Sequence, residues 1–193
     1  MRIVAIDASP RRGVVTLSVE AAARAAEDAG AHVDRVRLCE LDIRFCTGCS
    51  MCRATGRCKI ADDLPALADL VAASDGVILG TPSYFRRPNE ATQALIDRLS
   101  SYFTEGSARG DGRVPATGSR RAVIITACSA PEPLATFFGY STGPVRELRR
   151  ALGRTGTRTV GSLAVTDLWL HPEMCELEQD RASSLGRLLA GKL

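Results

Sequence analysis

The chain has 193 residues, 45% of them apolar and 24% charged, a balance that fits a folded globular domain and excludes a disordered chain. Its net charge of +3 is spread along the sequence in arginine pairs at 11–12, 86–87, 120–121 and 149–150. Nucleic-acid binders gather such charge into one stripe, so no nucleic-acid partner is expected. No run reaches 18 apolar residues, and the opening MRIVAIDASPRR lacks the pattern of a signal peptide, so a cytoplasmic protein without a membrane partner is expected.

Arg2–Asp7 (RIVAID) reads as a short apolar strand closed by Ser9-Pro10. Thr16 is a candidate cap for a helix running to about Asp28, with Leu17, Ala21, Ala22, Ala25 and Ala26 at helical spacing and Gly30 as its stop. His32–Leu38 alternates apolar and polar residues, as an edge strand covered on one side does. After a cysteine-rich loop at about 39–62, Asp62 or Asp63 opens a helix over Leu64–Ala73. The continuous apolar run Gly76–Gly80 (GVILG) marks a central parallel strand. A helix follows over roughly Glu90–Phe103, and Thr104–Ser119, rich in Gly, Ser and Arg, reads as a mobile loop. Ala122–Ala127 is a second central strand; helices near Thr142–Leu152 and Pro172–Ala190 flank a last strand near Thr159–Val165.

Strands alternating with helices in this way imply an α/β fold, a parallel sheet with helices on both faces. For five strands the economical arrangement is the flavodoxin-like order 2-1-3-4-5, in one domain spanning 1–193. Its ligand crevice would lie beyond the carboxyl ends of the first, third and fourth strands.

The segment Ser9–Thr16 (SPRRGVVT) joins the first strand to the first helix at that switch point. A helix N-terminus offers unpaired N–H groups and partial positive charge to an anion. Ser9 and Thr16 add hydroxyls, and Arg11 and Arg12 add charge. The segment resembles the first loop of the NADPH-dependent FMN reductase and iron-sulfur flavoprotein family, which reads close to G-S-P-R-x-x-G-N-T; Ser9, Pro10, Arg11 and Thr16 match in register. Val14 and Val15 depart from that pattern and remove a side-chain donor, leaving backbone N–H groups to hold the phosphate.

Gly80–Phe85 (GTPSYF), read as the loop after the third strand, is similar to the family's G-S-P-x-Y segment, and Ala94–Arg98 (ALIDR) also matches. The resemblance implies FMN, with Pro82, Ser83, Tyr84 and Phe85 at its ring. Ala127 and Cys128, after the fourth strand, are expected to reach the same crevice. Arg86-Arg87 stands where the family has small residues, a pair suited to an acidic substrate. No G-x-G-x-x-G occurs, so a Rossmann dinucleotide site is not expected.

Four of the seven cysteines form Cys46-x2-Cys49-x2-Cys52-x5-Cys58. Compact runs of this kind hold [4Fe–4S] clusters in ferredoxins, whereas structural zinc takes two pairs across a longer knuckle, so the spacing favours iron–sulfur over zinc. A metal-free set of buried or redox-sensitive thiols is the third alternative. Cys39, Cys128 and Cys175 read as packing residues, Cys128 at a position able to face a flavin; His32 and His171 suggest no catalytic role.

The resemblance covers about residues 1–100 by motif and the remainder by pattern. It implies an oxidoreductase in which FMN and a [4Fe–4S] cluster exchange electrons across the interface of a homodimer or higher homo-oligomer, serving a small-molecule or redox-protein partner. Without the cluster, the expectation is an NAD(P)H-dependent reductase of flavin or quinone. An alternative of another class is a zinc- or thiol-based sensing module on the same scaffold.

Overall fold

The alternation of apolar residues along the strands divides the core into two layers. In β1 (Arg2–Asp7), Ile3 and Ala5 face one side of the sheet while Val4 and Ile6 face the other. The same alternation splits β3 (Gly76–Tyr84) and β5 (Arg121–Ala127), whose Ile78, Val123 and Ile125 join the first side and whose Val77, Leu79 and Ile124 join the second. A strand buried on both faces must be apolar throughout, and each such Val, Leu or Ile contributes about 1.5–3 kcal/mol on burial. On the first face lie α1 (Val14–Asp28) and α7 (Glu176–Leu189); on the second lie α3 (Leu64–Ala72), α4 (Glu90–Leu99) and α6 (Thr142–Gly153). The computed structural model describes residues 1–55, 58–103 and 120–191, with Arg53 and Ala54 as backbone alone. The loop expected over Thr104–Ser119, like Gly56 of the cysteine loop, lies outside the described residues.

With β2 (His32–Arg37) and β6 (Arg158–Val165), the parallel strands run β2-β1-β3-β5-β6, which is the expected 2-1-3-4-5 when parallel strands alone are counted. The expected five-stranded sheet needs one correction. A two-residue β4 (Arg87–Pro88) pairs antiparallel with the end of β3, giving six strands. Its cause is that β3 does not stop at Gly80: Thr81 and Pro82 pair with Thr126 and Ala127 of β5, and Ser83 and Tyr84 then turn back on Pro88 and Arg87. The segment expected as a loop is therefore mostly strand, with Phe85 and Arg86 as the hairpin turn.

Helix positions agree with the sequence within a few residues, except at α1 and α7. Gly13, not Thr16, is the N-cap of α1, so the helix starts three residues early. α7 begins at Glu176 rather than Pro172; its first turn is closed by Glu178, whose carboxylate accepts the Cys175 N–H at 2.9 Å. Of two short helices, α2 (Met51–Thr55) falls within the expected cysteine-rich loop, and α5 (Leu134–Phe137) lies where the sequence assigned no element. α1 and α7 cross closely because position 186 is glycine: a Cβ there would stand 2.0 Å from the Ala22 carbonyl oxygen. Among the described residues no helix is long and apolar enough to cross a membrane.

Candidate functional site

The loop between β1 and α1 is organised by a residue that the sequence alone did not single out. Asp7, 5% exposed at the end of β1, accepts the Ser9 N–H at 2.8 Å, the Thr16 hydroxyl at 2.8 Å and the Arg37 guanidinium at 2.8 Å. The Ser9 and Thr16 hydroxyls, expected beside a phosphate, brace the loop here: Ser9 Oγ donates to the Arg11 carbonyl at 2.7 Å and Thr16 Oγ1 to Asp7. Val14 and Val15 are buried in the core beside β1 and β3, which gives the apolar pair a packing reason. What the loop presents is backbone: α1 has no side-chain cap on its first turn, Gly13 borders open space, and Arg11 and Arg12 are exposed beside it. An uncapped helix N-terminus flanked by two guanidiniums suits a phosphate dianion.

The next element is anchored to this loop by Asn89, the N-cap of α4. Its side-chain oxygen accepts the Thr92 N–H at 3.1 Å, and its amide donates to the Ala8 carbonyl at 2.6 Å. One side chain thus fixes the start of α4 against the end of β1. Beside it opens a crevice of about 740 Å³, lined by Pro10 of the first loop, Phe45 next to the first clustered cysteine, Tyr84, Phe85 and the Pro88–Ala91 segment. Tyr84 and Phe85 are 53% and 89% exposed, so their rings are open faces and not core. A cavity of this size with aromatic walls suits a flat cofactor.

Three other residues expected at the ring are buried. Ser83 donates to the Tyr140 carbonyl at 2.6 Å and is not among the residues that line the crevice. Ala127 and Cys128 are buried and do not line it; Cys128 Sγ donates to the Ala130 carbonyl at 3.9 Å, and burial pushes its thiol pKa up.

The cysteine loop leaves and rejoins the domain at a closed neck. Arg98 of α4 is 2% exposed, and its guanidinium donates to the Arg44 carbonyl at 2.7 Å and to both oxygens of Asp62, one of them at 3.1 Å. Asp62 in turn accepts the Arg44 N–H at 3.0 Å, so the two ends of the loop are tied through one buried ion pair. A second tie joins Asp63 N–H to the Asp42 carbonyl at 3.0 Å and Asp42 N–H to the Asp63 carboxylate at 2.7 Å. Burial would lower the Arg98 pKa, but Asp62 and then Cys58, the last of the four cysteines, outweigh it and hold the guanidinium above its ordinary value. Burial alone would raise the pKa of Asp62, but the hydrogen bonds from Arg98, Arg44 and Leu64 outweigh it and hold the carboxyl below its ordinary value.

Beyond the neck, Cys46 and Cys49 are exposed and Cys52 and Cys58 half-buried, all as free thiols. The Met51 N–H and then the Thr47 hydroxyl hold the Cys49 thiol below its ordinary pKa. Among the described residues no three His, Cys, Asp or Glu side chains converge as a metal site. The donor chemistry for iron is present in one short segment; its convergence is not.

The sequence model of the NADPH-dependent FMN reductase family matches residues 1–129. This chain belongs to that family. As an FMN reductase family member it is similar to curated iron-sulfur flavoproteins of two archaea. That of Archaeoglobus fulgidus is 35% identical over 111 residues, covering 57% of this chain and 50% of the relative. That of Methanocaldococcus jannaschii is 34% identical over 99 residues, covering 51% of each. The chain thus matches about half the length of these curated relatives. Among solved structures, an NAD(P)H:quinone oxidoreductase from Methanothermobacter marburgensis superposes with a TM-score of 0.75 at 18% identity, covering 98% of this chain and 96% of that one. A Streptococcus pneumoniae flavodoxin superposes at 0.65 and 14% identity over the full length of both. These likenesses identify the fold as flavodoxin-like.

Proposed function

We propose that this chain is an FMN-dependent oxidoreductase whose flavin lies in the crevice between the first loop, the β3–β4 hairpin and the cysteine loop. The observation that carries this reading is the Asp7-braced loop, with its uncapped helix end, opening beside an aromatic-walled crevice. The backbone N–H groups of Val14, Val15 and Thr16, with Arg11 and Arg12, bind the phosphate. Tyr84 and Phe85, together with Phe45, exclude water from the ring. Bound FMN supplies hydride and single-electron chemistry, and the protein supplies its position. The electron donor in this reading is NAD(P)H, and the working unit is a homodimer or larger homo-oligomer.

Cys46, Cys49, Cys52 and Cys58 are the residues that would hold an iron–sulfur cluster, a reading supported by their spacing and by the names of the archaeal relatives. A cluster would supply one-electron transfer beside the flavin. Their exposed or half-buried thiols and the closed neck beneath them fit that role chemically. One observation favours a cluster-free NAD(P)H-dependent reductase instead: the thiols do not converge among the described residues. Purification without oxygen, followed by absorption spectroscopy and assays of iron, sulfide and NAD(P)H oxidation on one sample, separates the two. Flavin bands over a broad shoulder, with about four irons per chain, support the cluster. Flavin bands with rapid NAD(P)H oxidation and no iron support the reductase, and a protein that stays colourless after added FMN refutes both.

A further inference from the structure

A second cleft, of about 650 Å³, adjoins the aromatic crevice and has a different chemistry. Arg86 and Arg87 reach it from the hairpin, and Arg146, Arg150 and Arg154 from α6 and its C-cap. Among the described residues that line the cleft, only Asp97 and Glu147 oppose them. Glu147 is already engaged by Arg87 at 3.3 Å, and Asp97 accepts the Gln93 amide at 2.8 Å. The other four guanidiniums have no ion pair among the described residues. The five cations against two anions leave an excess of three, equal to the net charge of all 193 residues.

Local structure alone does not require this concentration. Arg150 and Arg154 complement the C-terminal end of the α6 dipole, but Arg146 lies in the second turn and gains nothing there. Like charges four residues apart on a helix repel. The hairpin tip is also built against preference: Phe85 and Arg86 have φ values of 48° and 70°, a left-handed turn that usually takes Asn-Gly. It is seated on Gly143 of α6, where a Cβ would stand 2.5 Å from the Arg86 carbonyl oxygen. The fold therefore holds the two arginine-bearing elements together at close approach. Phe85, Arg87 and Gln93 line both cavities, so a molecule can occupy the two at once.

We infer that this arginine-lined cleft binds the acidic end of a small multivalent anion, one with at least two carboxylate or phosphate groups. Guanidinium recognises both groups through paired, charge-assisted hydrogen bonds. That the anion is the substrate, placed against the flavin, rests on the reading above; anion binding itself does not.

The test is calorimetric titration of the 193-residue chain with tricarballylate and, separately, pyrophosphate, against acetate and chloride at matched ionic strength. The same titrations are run on Arg146→Gln/Arg150→Gln, and FMN retention is measured on both proteins. The inference expects one or both polyanions to bind more tightly than acetate, and the double variant to weaken that binding at least about tenfold while keeping its FMN. Tricarballylate alone assigns the carboxylate class and pyrophosphate alone the phosphate class. Polyanions no tighter than acetate, or a variant that binds them like the wild type, overturn the inference. Absence of FMN from both proteins with polyanion binding intact would refute the flavin reading and leave the anion site standing.

Discussion

Replacing Arg98 by Met removes the buried half of the neck that closes the cysteine loop. The side chains of Arg98 and Asp62 are 1% and 0% exposed, so the carboxylate left behind has no water to replace its partner. Three hydrogen bonds go with the guanidinium, two to Asp62 and one to the Arg44 carbonyl, leaving Asp62 with the Arg44 and Leu64 N–H groups. Breaking a buried pair by removing one partner costs about 3–5 kcal/mol. For a chain of this size that corresponds to a fall in Tm of about 6–20 °C. Urea unfolding of the wild type, Arg98→Met, Asp62→Asn and the double variant measures it. The double variant should lose less than the sum of the single ones, because neither charge is then left alone. A cost below about 1 kcal/mol for Arg98→Met, or additive losses, would refute the neck as an energetic unit.

The remaining predictions concern the same neck, the first loop and the helix crossing. Asp62 is held below its unfolded pKa, so its contribution is fully present above about pH 4 and is lost as pH falls through the folded value. Acid titration of stability should therefore show a shallower loss in Asp62→Asn than in the wild type; identical acid limbs would contradict this. Asn89→Ala removes the α4 cap and the bond to Ala8, and should cost about 1–3 kcal/mol in urea unfolding and weaken FMN binding; unchanged stability would count against it. Gly186→Ala drives a methyl group into the Ala22 carbonyl and should destabilise by about 1–3 kcal/mol, read as a lower Tm; a neutral result would mean that α1 and α7 do not cross as described.

The sequence carried the parallel sheet because its information is local: apolar runs bounded by turn residues mark each central strand, and the first loop follows at a switch point that topology dictates. The hairpin was not legible, since Gly80 and Pro82 signal a turn and only pairing with Thr126 and Ala127 keeps the segment extended. Asp7, Asn89 and the Arg98–Asp62 pair were missed for a related reason. Their partners lie far away in the chain, as when Asn89 meets Ala8 or Arg98 meets Arg44, and no periodicity records such a meeting. Asp7 did leave one signal, a carboxylate ending an otherwise apolar strand at the switch point. Val14 and Val15 departed from the family's loop pattern at the level of sequence, whereas the structure shows them filling the core. The cysteine spacing was plain from the start, but spacing specifies a donor set and not its convergence.

FMN binding in the crevice beside the first loop is what the proposed function depends on. Titration of the flavin-stripped 193-residue chain with FMN, followed by quenching of flavin fluorescence, tests it directly. Saturable binding at one FMN per chain is expected, competed only weakly by inorganic phosphate and reduced when Arg11 and Arg12 are both replaced by Gln. Failure of the wild-type chain to quench or retain FMN would contradict it.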